Sequence, residues 1–564
     1  MFADLDDSRT LIDELLDEQQ RLTAVERFAR RHEADAPPAQ SRYYRDLIPL
    51  TKPQPGEQYA FAVDMDICTG CKACVSACHS LNGLDDDELW RDVGLLHGGT
   101  VDEPYQQTVT TACHHCVDPA CLNGCPVCAY EKDRETGIVR HLDDQCIGCQ
   151  YCVLKCPYDV PKYSEKRGIV RKCDMCHGRL SAGEAPACVQ SCPSGAIAIR
   201  IVRQAELVDS MDPGDRLIPG AFFSEYTKPT TTYKTCRPMP ANARPGDDAA
   251  LRLEHPHWPL IGMLVLTQIA VGMLTGAAGL AFGADEVFHA VQTPLTRTAF
   301  AILNLGLLVS IAHLGRPLGA WRFFLGLRTS WMSREILVFS LFAGAAGAFT
   351  GACVWHDLAP GIAKIPGHQY LPSPEPFLHP LALATSALGL LGVFCSAMIY
   401  VDTRRSFWSG ELVFTKFFGT TFLLGTAGVA VILAWVGISA PASVTETARL
   451  FLGMATVAGG ALLGWESQHF RRALAGEAAP DHRSAQIMWH LRRPLLVGRV
   501  ALFAGAMILS LFAIPEGGIR LAAMATLSGL LLCGAQLIER YFFFTAVVAL
   551  RMPGPLVPEP PIHA

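Results

Sequence analysis

The stretch CIGCQYCVLKCP at residues 146–157 decides how this chain folds and what it can hold. It contains a C-x2-C-x2-C-x3-C-P run made of Cys146, Cys149, Cys152, Cys156 and Pro157. Closely spaced thiolates of this kind can surround the corners of an iron–sulfur cubane. The spacing therefore predicts a ferredoxin-type loop that binds a [4Fe–4S] cluster.

Three further groups of four cysteines lie between residues 68 and 192, and two of them are also followed by proline. They are Cys68, Cys71, Cys74 and Cys78; Cys113, Cys116, Cys121 and Cys125; and Cys173, Cys176, Cys188 and Cys192. In two-cluster ferredoxins the fourth cysteine of one run binds the other cluster. That exchange predicts four ligand sets: Cys68, Cys71, Cys74 with Cys192; Cys173, Cys176, Cys188 with Cys78; Cys113, Cys116, Cys121 with Cys156; and Cys146, Cys149, Cys152 with Cys125. The spacing alone also permits each group to close its own cluster.

Two other uses of these cysteines are weaker hypotheses. Disulfides suit small secreted scaffolds, whereas this chain opens without an apolar signal segment and continues into a long apolar half. Structural zinc also uses C-x2-C pairs, but it does not call for a cysteine triplet followed by x3-Cys-Pro. The remaining cysteines are expected to be ordinary thiols, namely Cys128, Cys236, Cys353, Cys395 and Cys533.

The second half of the chain is more apolar than the first. Hydrophobic residues make up 50% of the sequence and the mean hydropathy is +0.23. Since a membrane-spanning helix needs about 20 mostly apolar residues, eight spans are predicted, at 257–282, 294–314, 335–355, 379–401, 411–438, 447–465, 497–515 and 521–545. Gly347-x3-Gly351 and Gly460-x3-Gly464 predict close helix contacts in lipid. Buried helices of a large soluble domain are the alternative, which eight successive apolar segments disfavour.

Arginine is concentrated in alternate loops between the predicted spans. The loops 315–334, 402–410 and 466–494 are arginine-rich, whereas 283–293 and 439–446 contain no lysine or arginine and 356–378 contains only Lys364. The positive-inside rule therefore places both termini and the cysteine region on the cytoplasmic side of the inner membrane. The same loops lie on the face that bears the cysteine region, so they could instead dock it. No export signal opens the chain, although an exported partner could still carry this region across the membrane.

These patterns divide the chain into five parts. They are an N-terminal helix (residues 8–33) and extended lead within 1–60, a four-cluster ferredoxin-type domain at 61–200, a linker at 201–256, a membrane anchor at 257–545 and a tail at 546–564. The expected fold is an α+β ferredoxin-like domain followed by an all-α bundle of eight transmembrane helices. The net charge of −6 does not indicate a nucleic-acid partner.

Two regions of the chain resemble subunits of dimethyl sulfoxide reductase-type molybdenum enzymes. Residues 61–200, including CHHCVDPAC at 113–121, resemble the electron-transfer subunit. Residues 256–545 resemble the membrane anchor, through WPL at 258–260, HLGRP at 313–317, AWR at 320–322 and SREI at 333–336. Those complexes use two polypeptides, so this chain resembles a fusion that fixes both in a one-to-one ratio.

The resemblance implies a partner, a mobile substrate and site residues. It implies a separate catalytic subunit that holds a molybdopterin cofactor, and a site for menaquinone or ubiquinone in the anchor. The histidine and glutamate of the family's quinol site fall on His313 and Glu335, with Arg316 nearby. A base and a carboxylate at the membrane edge can accept the two protons that quinol oxidation releases. Without such a role, His313 would cap a helix and Glu335 would pair with an arginine.

The resemblance also bears on the number and kind of redox groups. In some nitrate reductase relatives the position of Cys152 is tryptophan and the cluster loses an iron, so cysteine here implies four [4Fe–4S] clusters. No haem is expected, because haem requires histidines that face each other within the spans. The histidines near the spans lie at or beyond their ends, namely His255, His257, His313, His379 and His469.

The sequence therefore predicts the electron-transfer and anchor subunit of a molybdopterin oxidoreductase, either sulfite dehydrogenase-like or dimethyl sulfoxide reductase-like. It would carry electrons between the quinone pool and the molybdenum subunit, without holding the substrate-converting centre. The alternatives are an anchor of a hydrogenase or polysulfide-type reductase, a redox-coupled ion pump and a non-redox zinc scaffold. A pump needs ionisable residues deep within the spans, whereas Lys416, Glu539 and Arg540 lie near predicted span ends, where cations can snorkel.

Overall fold

The chain forms a cysteine-rich α+β region followed by a bundle of long helices. A computed structural model describes residues 41–362, 373, 375–476 and 481–557, together with positions 10, 12, 13 and 26. The helix predicted at residues 8–33 lies outside the described residues, apart from those single positions.

Short helices and strands alternate with the cysteine groups in the first region. The helices are α1 (Ser41–Tyr44), α2 (Ala73–Asn82), α3 (Ala120–Gly124), α4 (Tyr151–Lys155), α5 (His177–Ser181), α6 (Ala187–Gln190) and α7 (Gln204–Asp209). The strands are β1 (Glu57–Asp64), β2 (Asp92–Gly99), β3 (Pro104–Thr111), β4 (Tyr130–Lys132), β5 (Val139–His141), β6 (Lys162–Ser164), β7 (Ile169–Arg171), β8 (Ile197–Arg203), β9 (Thr232–Lys234) and β10 (Arg244–Pro245). They form the sheets β8-β1-β9, β10-β2-β3, β4-β5 and β6-β7.

The strand pairing brings distant cysteine groups together. Strand β1 leads into the first group and β8 leaves the fourth, and the two strands pair antiparallel with Phe61 opposite Ile199 and Val63 opposite Ile197. These four side chains are at most 3% exposed, so their burial holds the two ends of the region side by side. The hairpin β4-β5 likewise separates the second group from the third, and β6-β7 separates the third from the fourth.

The segment predicted to be a linker and the C-terminal tail both contribute to the first region. Strand β9 pairs parallel with β1, and β10 pairs antiparallel with β2. The tail returns after the last long helix, and the amide of Leu95 donates to the carbonyl of Gly554 (3.0 Å). The amide of Gly554 in turn donates to Oδ1 of Asp247 (3.0 Å). Both segments therefore fasten the helical bundle to the sheets.

Eight helices of the described chain are long and apolar enough to cross a membrane, as the sequence predicts. They are α8 (Trp258–Gly283), α9 (Asp285–Ile311), α10 (Trp331–Ile362), α11 (Glu375–Val401), α12 (Gly410–Val436), α13 (Ala442–Ala475), α15 (Arg493–Ala513) and α16 (Gly518–Thr545). A short α14 (His482–Gln486) precedes a π-helical turn at Ile487–Leu491. Helix α9 starts nine residues earlier than predicted and α13 ends ten residues later, because both continue as helix through polar residues beyond their apolar stretch.

Only one glycine of each predicted pair lies against a neighbouring helix: a methyl group on Gly347 would lie 3.4 Å from the ring of Phe300, and one on Gly460 would lie 3.1 Å from Cε of Met507. A methyl group added at Gly351 or Gly464 would meet no atom within 4 Å. A closer contact lies between α8 and α12, where a methyl group on Gly272 would lie 2.6 Å from Cα of Gly425. One glycine on each of two helices makes this crossing, so no repeat within a single helix could reveal it.

Candidate functional site

Most of the sixteen cysteines are buried in the first region. Twelve are buried, Cys68, Cys176 and Cys192 are partly exposed, and Cys71 is exposed. Four short helices begin within the groups and carry Cys74, Cys121, Cys152 and Cys188. The partly or fully exposed thiols therefore belong to the first and fourth groups, whereas Cys146, Cys149 and Cys152 of the third group lie inside the protein.

In three of the groups the fourth cysteine has an electrostatic neighbour in another group. Burial, and to a smaller extent the thiol of Cys146, raises the pKa of Cys125 to about 11. Burial and then Cys113 do the same for Cys156. Burial and then Cys188 raise the pKa of Cys78 to about 12. These neighbours are the ones that the exchanged ligand sets require.

The first ligand set shows the same exchange less completely. Burial raises the pKa of Cys74, and the thiols of Cys188 and Cys192 raise it further. Cys192 belongs to the set expected around Cys74, whereas Cys188 belongs to the neighbouring set. The two sets are therefore adjacent.

One ligand set encloses a cavity. Cys113, Cys116 and Cys121 line it together with Cys156 from the next group, and Pro157 and Tyr158 complete part of the wall. Buried thiolates are costly unless cations compensate them, and the irons of a cluster would supply that compensation. The donor set therefore fits an iron–sulfur cluster. Within the described residues, no three His, Cys, Asp or Glu side chains are arranged to hold a single metal ion.

Two buried cations between the cysteine groups were not apparent from the sequence. Lys172 is 2% exposed, and its Nζ lies 3.5 Å from Sγ of Cys113 and 2.7 Å from the carbonyl oxygen of Cys173. Burial alone would lower the pKa of Lys172, but Cys113, Cys121 and Cys173 raise it overall. Lys172 immediately precedes Cys173, and only its fold shows that it also reaches Cys113.

Arg91 lies between the ligand set of Cys74 and that of Cys188, and the second of these sets also neighbours Lys172. It is 3% exposed, and Nη1 donates to Oγ1 of Thr110 (3.1 Å). Burial opposes its charge, yet nearby Cys188 and Cys74 raise the pKa of its guanidinium. A cation thus lies between neighbouring cysteine groups at two places along the region.

The third cysteine group packs against the loop that follows α9. The amide of Arg316 donates to the carbonyl of Ile147 (3.0 Å), and its Nη1 donates to the carbonyl of Asp143 (2.9 Å). Nη1 of Arg322 donates to the carbonyl of Asp144 (2.9 Å). These arginines therefore dock the cysteine region, which is the alternative role that their loop suggested.

At the centre of this interface the contact is made by backbone atoms of glycine residues. A methyl group on Gly315 would lie 2.1 Å from the carbonyl oxygen of Gly168. A methyl group on Gly148 would lie 2.4 Å from the same oxygen and 3.0 Å from the amide nitrogen of Gly315. The three glycines let the cysteine loop approach the membrane helices more closely than any other residue would allow.

A second docking contact involves α4 and the end of α11. The hydroxyl of Tyr151 donates to the carbonyl of Ile399 (3.1 Å). Nζ of Lys155 lies 2.7 Å from Oδ2 of Asp402, and the Lys155 side chain is 6% exposed. The helix that carries Cys152 is therefore fixed directly to the bundle.

His313 lies beside the third cysteine group. Its half-buried ring lies close to the backbone of Cys149, which partly opposes the lowering of its pKa by burial to about 4. The ring centroid of His257 is 5.2 Å away in an edge-on arrangement. Burial, followed by the nearby His313, lowers the pKa of His257 to about 3, so both rings are neutral at neutral pH. No sequence pattern assigns His257 to this site, since only the fold brings the start of α8 to the end of α9.

Glu335 lies near the start of α10, a helix that contacts the backbone next to Cys125. It is 8% exposed in the first turns of α10, and its Oε1 has no hydrogen-bond partner among the described residues. Ser333, two positions earlier, donates from Oγ to the carbonyl of Pro126 (3.3 Å), directly after Cys125. Among the described residues no hydrogen bond or ion pair joins Glu335 to His313, so the two side chains are not directly paired.

An exposed apolar segment lies next to His313. The 3-10 helix Pro317–Gly326 presents Leu318 (94% exposed), Trp321 (61%) and Leu325 (51%). Apolar and tryptophan side chains of this kind lie in the membrane interface. The segment therefore marks the level of the lipid headgroups close to His313.

The charged residues near the ends of α12 and α16 are buried rather than snorkelling. Nζ of Lys416 lies 2.9 Å from Oε1 of Glu539. Arg540 is fully buried, pairs with Glu539 and donates to Oε1 of Gln268 (3.0 Å). The snorkelling expectation is wrong because both cations find partners inside the bundle.

Comparison with known proteins identifies relatives of both halves. Residues 105–201 match the family model of the 4Fe-4S dicluster domain, and residues 253–545 match that of the DMSO reductase anchor subunit (DmsC). The probable anaerobic dimethyl sulfoxide reductase protein YnfG of Escherichia coli K12 is 36% identical over 207 residues, which cover 97% of that protein and 35% of the present sequence.

Two further relatives are matched over a smaller share of their own length. The hydrogenase-2 operon protein HybA of Escherichia coli O157:H7 is 34% identical over 198 residues, covering 59% of that protein and 30% of the present sequence. The iron–sulfur subunit of the nitrate-inducible formate dehydrogenase of Escherichia coli K12 is 33% identical over 178 residues, covering 56% and 28% respectively.

Proposed function

The chain belongs to the DMSO reductase anchor subunit (DmsC) family, with a 4Fe-4S dicluster domain fused ahead of the anchor, and from this premise we propose its route of electron transfer. It is a multi-pass iron–sulfur and anchor subunit with an electron-transfer role. Its family implies a molybdopterin-containing catalytic subunit as the partner. We propose that it connects this partner to the quinone pool through four [4Fe–4S] clusters.

The four proposed ligand sets are those in which the fourth cysteine is exchanged between groups. The thiol neighbours of Cys125, Cys156 and Cys78 support these sets. When bound, the clusters supply one-electron transfer at potentials that hydrogen bonds and nearby charges adjust. The protein excludes water from twelve of the thiols and holds Lys172 and Arg91 between neighbouring sets.

The quinone is proposed to react beside His313. The observation that carries this proposal is the position of the His313 ring beside the backbone of Cys149, in a loop whose Arg316 amide donates to the carbonyl of Ile147 (3.0 Å). A quinone bound at His313 would therefore lie directly beside a proposed cluster ligand, Cys149. A neutral imidazole can accept a proton from a quinol hydroxyl, and buried Glu335, with a free carboxylate oxygen among the described residues, can accept another.

Arg316 is proposed as a positioning residue for the site. Its backbone and guanidinium both donate to the cysteine region, so it holds the loop that carries His313 against Cys149. His257 is proposed as a further wall of the site, since its ring contacts His313. The exposed apolar segment Pro317–Gly326 would let the quinone tail remain in lipid.

The molybdenum subunit is proposed to bind at the opposite end of the electron path. The most exposed thiols belong to the set of Cys68, Cys71, Cys74 and Cys192. Apolar side chains are exposed nearby, including Ile67 (44%) and Leu81 (49%). A partner that covers this surface would shield the set and complete the route.

The cysteine region is proposed to lie on the cytoplasmic side of the inner membrane. Arg316, Arg322 and Arg405 are used in docking. Further basic residues are exposed on the same side of the bundle, at Arg471, Arg472, Arg492 and Arg493. These residues support the orientation through the positive-inside rule.

The experiment replaces His313 by leucine in the assembled complex. We expect quinone-linked turnover to fall by roughly 10²- to 10⁴-fold, the range for loss of a general base, while dye-linked turnover of the molybdenum partner is unchanged. The control is His379→Leu, because His379 hydrogen-bonds the carbonyl of Ala281 at the opposite end of the bundle. Equal loss of both activities in the His313 variant would refute the quinone role.

A further inference from the structure

A cavity lies among the long helices of the bundle, away from His313. It has a volume of about 630 Å³, within the range of roughly 300–1,000 Å³ for ligand sites. Its lining comes from α12, α13, α15, α16 and the connections next to them, and no residue of α8–α11 contributes. We call it the C-terminal cavity. It lies near the ends of these helices that face the cysteine region, since Arg405, just before α12, donates to the carbonyl of Leu154.

Three ion pairs line the C-terminal cavity. Besides Lys416 and Glu539, Nη2 of Arg499 lies 2.5 Å from Oε2 of Glu466. Nε2 of His469 lies 2.5 Å from Oδ2 of Asp481. Lys416, Arg499 and Arg471 in the lining are balanced by Glu539, Glu466 and Asp481, so it offers a polar ligand little net charge, which favours a neutral headgroup over a phosphate.

One carboxylate oxygen in the wall has no hydrogen-bond donor among the described residues. The Glu466 side chain is 9% exposed, and its Oε1 is buried without a hydrogen-bond partner among the described residues. A buried acceptor of this kind costs free energy unless a ligand or water satisfies it. A hydroxyl of a bound ligand could donate to Oε1 of Glu466, while Lys416 or Arg499 donates to another ligand oxygen.

The rest of the lining is largely apolar and includes several aromatic side chains. Trp465 stacks on His469 with a centroid distance of 5.7 Å, and Phe470 lies 6.3 Å from Trp489. Trp489 belongs to the π-helical turn, and π-helical turns occur frequently at functional sites. Val500, in the wall, is 41% exposed on the outside of the bundle, so an apolar tail can leave there.

We propose that the C-terminal cavity binds a second quinone molecule, apart from the one that reacts beside His313. A flat ring with oxygens on opposite sides matches the aromatic walls and the paired donors and acceptor, and an isoprenoid tail matches the opening at Val500. The inference rests on the proposed function only in taking quinone as the lipid-soluble partner. Arg471, which also lines the cavity and is exposed, is the group that a phospholipid headgroup would use instead.

The test measures how many molecules of a radiolabelled ubiquinol analogue with a ten-carbon tail, kept reduced under anaerobic conditions, bind to the full chain in phosphatidylcholine nanodiscs. We expect about two per wild-type chain and about one for Val500→Trp, which blocks the opening. Ala504→Trp, which fills the wall from another position, should also bind one. Val457→Trp should bind two, because Val457 is 75% exposed and lies outside the cavity.

The outcomes separate this site from the proposed reaction site. His313→Leu should lose the other molecule, and the double variant His313→Leu/Val500→Trp should bind none. Wild-type binding by both Val500→Trp and Ala504→Trp would overturn the second site. Phospholipid extracted from the wild type but not from Val500→Trp, without any difference in quinone binding, would overturn the quinone assignment. Loss of binding in the cavity variants with unchanged turnover in His313→Leu would instead refute only the proposed reaction site.

Discussion

Replacement of Lys172 by methionine should make the reduction potential of one cluster more negative. The ammonium group is 3.5 Å from Sγ of Cys113, and a bound cluster would be centred a few ångströms beyond that sulfur. A unit charge at about 6 Å in an effective dielectric constant of about 20 contributes roughly 3 kcal/mol. A tenfold change in a one-electron equilibrium corresponds to about 59 mV, so the expected shift is on the order of 100 mV.

The direction of the shift follows from charge. Reduction adds one negative charge, which the ammonium group stabilises, and methionine removes that stabilisation while keeping a similar length. The assay is a redox titration of the intact complex, followed by low-temperature electron paramagnetic resonance, with iron content as the check that the cluster is retained. Lys172→Arg should remain near the wild-type potential because it keeps the charge.

A matched control removes a lysine elsewhere in the same region. Lys52→Met should leave all potentials unchanged, because the Lys52 side chain is 75% exposed and pairs only at the surface with Glu135. An unchanged or more positive potential in Lys172→Met, with full iron content, would refute the electrostatic role of Lys172. Lys172→Gln serves as a second neutral variant should methionine reduce iron content.

The interface, the ligand sets and the topology each make a further prediction. Gly315→Ala should lower quinone-linked turnover by tenfold or more and spare dye-linked turnover, because overpacking costs about 1–3 kcal/mol and its methyl group would lie 2.1 Å from the carbonyl oxygen of Gly168. The control is Gly344→Ala, where no atom lies within 4 Å of the added methyl group. Equal activity of both variants would contradict the close contact at Gly315. Cys149→Ser should remove or alter one cluster signal and abolish quinone-linked turnover with the helices still inserted, and wild-type turnover would show that this ligand set is bypassed. A reporter fused after Ala564 should be active in the cytoplasm, whereas periplasmic activity would reverse the proposed orientation.

The cysteine spacing and the apolar segments were sufficient to predict the fold class. Both signals are local: a C-x2-C-x2-C-x3-C run needs only its own residues, and a span needs only about 20 apolar residues in succession. The eight long helices are present. The ends of these helices were less predictable. For example, α13 continues through Arg471 and Arg472 to Ala475, where the sequence is no longer apolar and hydropathy does not indicate that the helix continues.

The contacts between distant segments could not be predicted in the same way. Nothing near Lys172 in the sequence shows that it reaches Cys113, and nothing near His257 shows that it contacts His313. The glycine contact of Gly148, Gly168 and Gly315 joins three parts of the chain through backbone, for which sequence carries no periodic signal. The arginine-rich loops were informative about a charged face, but the fold was needed to show that Arg316 and Arg322 bind backbone carbonyls.

We propose that the sixteen cysteines hold four iron–sulfur clusters. The most direct measurement is the iron and acid-labile sulfide content of the anaerobically purified protein, with low-temperature spectra of its reduced form. We expect about 16 iron and 16 sulfide per polypeptide, from four clusters of four irons each, with the spectra of interacting [4Fe–4S] centres. Zinc in place of iron, or protein without labile sulfide, would contradict this proposal.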